Sequence, residues 1–439
     1  MSDRYTPRPY VTLAHPEWTR AATLYELNTR AFTPEGTLAA AEAHLPRLKD
    51  LGVDIVWLMP VHPIGVAGRK GTLGSPYAVR DYTAVNPELG TFTDLQRFVQ
   101  SAHGLGMRVI LDWVANHTAP DHPWTAEHPE WYARDWKGDL RPTPWWDWTD
   151  VVDLDYAQPA LRRTMTEAMA FWVREADVDG FRCDVAGFVP VDFWETAREV
   201  LDAIKPVFLL AEWESRDLHA RAFDATYAWS WYDAAGQLAR GEAGPDVLAV
   251  YYSWNESAYP REAMRMTFTS NHDKNAWEGT MQEHFGDGLH AAIVLSIVGE
   301  GMPLLYSGQE AGSARRLAFF EKDEIAWQEH PTGDLFRHLF ALKHATPALW
   351  NAPWGARMVR LGTDAPETTL AFVRVLTTGE HTGSAVVAVF NWSAEARTVT
   401  LGDGPHAGTY TDAFSGETAT LAPDSSVEVA AWGWRVLAR

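Results

Sequence analysis

Between residues 22 and 350, short apolar runs alternate with longer stretches in which apolar residues recur every three to four positions. The runs at 22–27, 53–59, 107–112, 180–184, 207–212, 225–230, 265–270 and 303–307 have strand length and end at Gly, Pro or polar residues. Such runs predict strands buried on both faces. The stretches at 36–51, 93–105, 158–176, 191–204, 288–298 and 335–346 carry helical spacing, and 216–222 reads as a short helix. In the first, Leu38, Ala41, Leu45 and Leu48 share a face and Gly52 ends it; Thr91 or Thr93 caps the second. Eight strands alternating with helices predict an α/β fold, a closed parallel (β/α)8 TIM barrel, with an open doubly wound sheet as the alternative.

Two segments break the alternation. Residues 61–90 form a Gly/Pro-rich loop too long to be a bare connector. Residues 117–156 are rich in Trp, Pro and Asp without a clean period, an irregular insertion after the third strand. Beyond Trp350 the pattern changes to Val/Thr-rich alternation at 369–375, 385–391 and 427–437, separated by Gly, Pro and Asp turns. That predicts a C-terminal antiparallel β-sandwich. The expected domains are therefore the barrel at 1–116 and 157–350, a short inserted domain at 117–156, and the sandwich at 351–439. Residues 1–20 read as a Pro-rich lead-in arm.

Composition narrows the function classes. A chain of 439 residues with 46% hydrophobic content can build one large domain and a smaller one. The formal net charge of −21 is spread along the chain, which argues against nucleic acid and anionic membranes as partners, since both need a basic footprint. No apolar run is long enough to span a membrane, and the N-terminus lacks a signal-like core. Cytoplasmic localisation is the expectation, and the Asn-x-Ser/Thr sites at Asn116, Asn255 and Asn391 then carry no glycan. Cys183 is the single cysteine, so no intrachain disulfide forms; alternation turns it away from Asp184, towards barrel–helix packing. The 22 Trp either pack or stack on the flat faces of a ligand.

Candidate chemistry sits at the ends of the predicted strands. Arg182 and Asp184, two apart on one strand, face the same way. Alone they read more readily as a structural ion pair at a strand end. Asp112, Asn116 and His117 follow the third strand, Glu212 ends the fifth, and Ser270-Asn271-His272-Asp273 ends the seventh. In a barrel these ends converge on one mouth. Carboxyls crowded there push at least one pKa up, and an ionised carboxylate beside a protonated one suits glycosidic cleavage.

These segments resemble, in order, the shared regions of the α-amylase family, glycoside hydrolase family 13. Asp112-Trp113-Val114-Ala115-Asn116-His117, Gly180-Phe181-Arg182-Cys183-Asp184, Glu212 and Asn271-His272-Asp273 carry the resemblance. Gly74-Ser75-Pro76-Tyr77-Ala78-Val79-Arg80-Asp81-Tyr82 and the run from Gly301 to Glu310 agree with it. The resemblance implies a retaining glycoside hydrolase acting on an oligosaccharide or α-glucan substrate. Asp184 would be the nucleophile, Glu212 the general acid/base and Asp273 the transition-state stabiliser. Tyr77, Asp112, His117, Arg182 and His272 would bind substrate, with Arg182 keeping Asp184 ionised and Tyr77 stacking on the sugar. α-1,4 bonds in malto-oligosaccharides are the leading target. Val185, directly after Asp184, resembles the α-1,6-cleaving members. A transglycosylase or isomerase of the same family is the alternative. A non-catalytic carbohydrate-binding relative is the third reading, and the presence of all three carboxylates weighs against it.

The chain departs from the family pattern just after Asp184. Gly187 and Phe188 stand where many amylases carry Lys and His. No cofactor is required by this reading. Calcium is not favoured: Asn116 and Asp153 are the oxygen donors it would use, but the insertion is short and no Asp-x-Asn-x-Asp-Gly loop follows the first strand. Trp113, Trp131, Trp145, Trp146 and Trp148 are candidates for stacking on sugars or for stitching the insertion together. Oligomeric state is left open.

Overall fold

A computed structural model describes residues 6–439; the first five residues of the lead-in arm lie outside the described residues. Eight strands, β1 (Leu24–Leu27), β2 (Ile55–Leu58), β3 (Arg108–Trp113), β4 (Gly180–Cys183), β5 (Phe208–Ala211), β6 (Ala225–Tyr227), β7 (Met264–Phe268) and β8 (Met302–Tyr306), pair in parallel in that order and close on themselves. The closed barrel, not the open sheet, is the fold. Nearly every strand residue is buried, because side chains alternate between the barrel interior and the helix layer.

Local chemistry sets the helices. Helix Phe92–Gly104 starts at a capping box: Thr91 Oγ1 accepts from Asp94 N–H at 3.2 Å and Asp94 accepts from Thr91 N–H at 2.8 Å. It buries Leu95, Phe98, Val99 and Ala102, one helical face. The helical stretch at 36–51 is broken into Leu38–Glu42 and Leu45–Leu51. Pro46, in the first turn of the second piece, cannot continue a helix from the first. The sixth strand stops at Tyr227, short of its expected end, and helix Trp229–Ala239 begins at once; a further helix, Asp246–Ala258, follows. Both are rich in Trp, Tyr and Ala, which blurs the polar face that periodicity needs. The expected helix at 216–222 is only a 3-10 turn, Asp217–His219.

Beyond the barrel, β9 (Met358–Leu361), β10 (Thr369–Val375), β11 (Ala385–Asn391), β12 (Arg397–Thr400), β13 (Gly408–Asp412), β14 (Thr418–Leu421), β15 (Ser426–Val429) and β16 (Trp434–Ala438) form the sandwich. Six make one antiparallel sheet in the order β9-β10-β11-β16-β13-β14, and β12 pairs with β15. The run at 427–437 is thus two strands, divided by a turn at Gly433. Alternation sorts the large sheet's two faces. Ala371, Val373, Val387, Val389 and Leu437 pack with Val399 and Val427 inside the sandwich. Leu370, Phe372, Ala388, Phe390 and Val436 join the barrel's core. The sheet is therefore buried on both sides and bolts the sandwich to the barrel. Among the described residues no helix is long and apolar enough to cross a membrane.

Candidate active site

The strand that carries Arg182 starts at a residue that must be Gly. Gly180 has φ +152°, and a Cβ there would lie 1.8 Å from Phe208 O on the neighbouring strand. This close approach puts β4 and β5 in register, with Arg182 opposite Leu210 and Cys183 opposite Ala211. On the other side Arg182 is opposite Asp112. One residue beyond each strand, Asp184 and Glu212 emerge side by side.

Arg182 is fully buried and is the hub. Its Nη1 donates to Asp112 Oδ1 at 2.9 Å and to Asp184 Oδ1 at 3.0 Å, and its Nε donates to Tyr227 Oη at 3.1 Å. Nη2 lies 2.9 Å from Glu212 Oε2, in ion contact without the alignment of a hydrogen bond. One guanidinium thus serves three carboxyls. It opposes, but does not overcome, the rise that burial and the charge of Glu212 impose on the Asp184 carboxyl. Burial pushes Glu212 up as well, with Asp273 adding to it and Arg182 opposing.

Val185 follows Asp184 in the left-handed region, φ 35° and ψ 47°, which a β-branched residue adopts only under strain. That turn aims its N–H at Glu212 Oε2, 2.8 Å away. Strain and function meet here: the bent backbone gives Glu212 its aligned hydrogen bond.

His117 faces the same space, with Nε2 4.0 Å from Asp184 Oδ2. Burial lowers its pKa to about 4, so the ring is neutral. Asn116 Nδ2 lies 3.2 Å from Nδ1, which leaves the proton on Nε2, towards Asp184. His272 behaves oppositely. Burial alone would lower it, but Asp273, 3.4 Å from Nε2, and Glu26, 2.5 Å from Nδ1, together raise it to about 9. As an imidazolium it donates from Nδ1 to Glu26 and from Nε2 to Tyr77 Oη at 2.8 Å, while Tyr77 Oη donates to Asp112 at 2.9 Å. Tyr77, His272 and Phe319 cluster with near-parallel rings: Tyr77 lies 5.3 Å from His272 (17°) and 6.0 Å from Phe319 (14°), and those two are 6.2 Å apart.

The residues named from sequence therefore meet in one place, but at different depths. Asp184 and Glu212 keep a small exposed edge, and the Asp273 side chain is 40% exposed. Asp112 and Arg182 have no exposed surface. They were expected to bind substrate; with no exposed surface of their own, they contact Tyr77, Trp57, Asp184 and Glu212 from within the barrel. Asp112 also accepts from Trp57 Nε1 at 3.1 Å. Three members of the site were missed: Glu26 on β1, Trp57 on β2 and Tyr227 on β6. The signal for Glu26 was a lone carboxyl in a strand buried on both faces, which needs a partner.

Gly187, where the family pattern often has Lys, is enforced by Trp213: a Cβ there would lie 2.1 Å from the indole. Phe188, 41% exposed, packs on the same indole, 5.1 Å between rings. Among the insertion's tryptophans, Trp113 and Trp131 are core residues, whereas Trp145 and Trp146 are exposed. Trp146 stacks on Trp148 (5.1 Å, 21°), and Trp148 lies 5.8 Å from His117. Asn116 and Asp153 do come together, but as partners of each other. Asp153 Oδ1 accepts from Asn116 at 3.2 Å and from Thr143, and Arg141 lies 3.6 Å from Oδ2. A carboxylate already met by an amide, a hydroxyl and a guanidinium does not fit a calcium cage, which needs free oxygens on several sides.

A closed parallel barrel with paired carboxyls at the carboxyl ends of its strands is the layout of a barrel enzyme. The sequence model "Alpha amylase, catalytic domain" matches residues 22–150 and 145–351. The chain belongs to the alpha-amylase family. It is 30% identical over 443 residues to Alpha-amylase MalA of Haloarcula japonica, covering 96% of this chain and 62% of that one. It is 31% identical over 263 residues to the Alpha-1,4-glucan:maltose-1-phosphate maltosyltransferase of Burkholderia pseudomallei, covering 54% of this chain and 22% of that one. Against these two curated relatives the chain thus spans less than two thirds of their length. Two solved structures match nearly end to end. The maltogenic alpha-amylase AmyB of Thermotoga neapolitana superposes with TM-score 0.86 at 32% identity, over 95% of this chain and 98% of that one. An alpha-amylase of Lactobacillus plantarum gives 0.84 at 29%, over 96% and 99%.

Proposed function

We propose that the chain is a retaining glycoside hydrolase that cleaves α-glucosidic bonds, mainly α-1,4, in malto-oligosaccharides or α-glucans. The observation that carries this reading is the pairing of Asp184 and Glu212 on one buried guanidinium, at the ends of adjacent strands. Two carboxyls so placed hold one proton between them. Burial weighs on both, and each accepts one aligned hydrogen bond, Asp184 from Arg182 and Glu212 from the Val185 N–H. A retaining double displacement calls for the charge on Asp184 and the proton on Glu212 once substrate is bound.

In the first step an Asp184 oxygen attacks the anomeric carbon as the glycosidic C–O bond breaks, and Glu212 gives its proton to the leaving oxygen. In the second, Glu212 takes a proton from water; the water oxygen bonds to the anomeric carbon and releases Asp184. Asp273, exposed in the cleft, grips sugar hydroxyls as the ring flattens. The His117 Nε2–H and the aromatic face of Tyr77 orient the reacting sugar. Asp112, Arg182, Trp57, Tyr227 and Glu26 position these groups.

Transfer to a sugar acceptor is the second reading, and it has its own observation. Phe188 and Trp213 form an apolar wall next to Glu212, where a sugar face could displace water. Maltoheptaose turnover, with products resolved by linkage and anomeric form, tests both. Reducing α-anomers support hydrolysis with retention, new linkages without net hydrolysis support transfer, and inertness on all α-glucosides refutes both. Asp184→Asn should lower turnover by roughly 10⁴-fold or more. It should also melt no lower than wild type, because it replaces a buried carboxyl whose charge the site disfavours. Unchanged turnover would overturn the nucleophile assignment.

A further inference from the structure

At the barrel face opposite the cleft, the starts of β7 and β8 meet the seam with the sandwich. A small, partly open cavity lies there, lined by Arg261, Arg265, Arg357 and Arg374, with Glu300 and Asn255. Four guanidinium groups around one carboxylate stand out in a chain of formal net charge −21.

Two of the four charges, on Arg261 and Arg374, have no carboxylate partner among the described residues. Arg374 is buried and donates only to carbonyls: Nε to Ala356 at 2.8 Å, Nη1 to Val298 at 3.2 Å and Gly299 at 2.5 Å, and Nη2 to Trp350 at 3.2 Å. Arg265 is buried as well. Its Nη1 donates to Asn255 at 2.9 Å and its Nη2 to Tyr227 O and Glu214, but its Nε is buried with no partner. Glu300 is already engaged, by the N–H of Met358 and by Arg357 Nη1 at 3.4 Å. Arg261 is exposed at the rim, and no carboxylate lies within ion-pair distance of it among the described residues. Counting Glu214 and Glu300 against the four arginines leaves an excess of about two positive charges around a cavity with an orphaned donor.

We propose that this cavity binds a phosphate-bearing anion, as inorganic phosphate or as the phosphoryl group of a small sugar phosphate, and so braces the sandwich against the barrel. A phosphoryl group supplies the missing negative charge and several acceptor oxygens that match guanidinium forks. Trp350 and Pro353 in the lining offer apolar surface beside the phosphoryl position for a sugar ring. The site is independent of the catalytic reading, since it lies at the other end of the barrel.

The test is calorimetric titration of the full chain with inorganic phosphate and, separately, with glucose 6-phosphate, alongside thermal melting. Saturable binding and a raised melting temperature are expected with at least one probe and not with potassium chloride at matched ionic strength. The Arg261→Gln/Arg357→Gln double variant, changed only at partly exposed positions, should bind about tenfold more weakly or worse. Asp184→Asn, which alters the cleft, should bind as wild type does. Should the double variant fail to fold, Arg261→Gln alone, at the rim, should still weaken binding several-fold. Tighter binding of inorganic phosphate identifies the free oxyanion; tighter binding of glucose 6-phosphate identifies the sugar phosphate. No saturable binding of either, a chloride response of equal size, or variants that bind like wild type would each overturn the proposal.

Discussion

Two buried arginines divide the molecule between chemistry and architecture. Arg182 sits at the barrel mouth among Asp112, Asp184 and Glu212, and carries no exposed surface. Arg374 sits at the barrel floor, nearly as buried, and donates to four backbone carbonyls. Burial lowers Arg374 to about 10, with Glu300 and Tyr252 pulling the other way. At Arg182 burial acts the same way, yet the crowded carboxyls reverse it and hold the proton far more firmly. The lesson is that burial alone does not define an active site. What does is surplus acid around the cation, since that surplus forces neighbouring carboxyls to share protons.

The comparison can be broken from either side. Arg182→Lys keeps the charge but loses the fork that reaches three carboxyls; kcat on maltoheptaose should fall by roughly 10²- to 10³-fold. Steady-state kinetics decides it, and a loss below about threefold would demote Arg182 from hub to packing residue. Arg374→Met should do the reverse. Orphaned carbonyls at the seam should lower the unfolding free energy by about 3 kcal/mol, read from urea melts, while kcat stays within about twofold. A large kcat loss with stability intact would mean that the seam speaks to the cleft.

A smaller effect sharpens the mouth's half of the contrast. His272 has its pKa raised from 6.5 to about 9 by Asp273 and Glu26, against the pull of burial. A base held above its unfolded value contributes stability that is complete below pH 6.5 and is lost as pH rises through about 9. Because Asp273 is 40% exposed, the contribution is discounted for solvent screening to on the order of 2 kcal/mol. Urea unfolding at pH 6 and pH 9.5 should show that loss in wild type and not in His272→Gln; equal pH slopes would refute the imidazolium. The smallest effect belongs to the insertion. Trp146, exposed and stacked on Trp148 beside His117, extends an apolar shelf out of the cleft. Trp146→Ala should raise KM for maltoheptaose by about threefold, with kcat unchanged and short substrates unaffected. Equal effects on short and long substrates would count against the shelf.

Much of this site was legible because its chemistry lies at strand ends, where a carboxyl interrupts an apolar run. Asp184, Glu212 and Asp273 could be placed by topology before any coordinates. Glu26 was passed over because no neighbour in sequence advertised its partner, His272, which lies 246 residues away. Asp112 and Arg182 were recognised, but their depth was not: a residue type at a strand end says which face it takes and not how far above it the next layer closes. Helices Trp229–Ala239 and Asp246–Ala258 escaped for a different reason, their aromatic content hiding the polar face.

The sequence alone determined the barrel, the sandwich and the meeting of three carboxyls, because strand alternation and parallel closure leave few places for those residues to go. Only the tertiary structure decided how charge is shared. One guanidinium divided among three acids, a strained Val185 that turns its N–H to Glu212, and Trp213 filling the space over Gly187 all depend on distances between strands and loops far apart in the chain. Electrostatic energies vary with those distances and with burial. They are properties of the packed molecule, and no pattern along the chain encodes them locally.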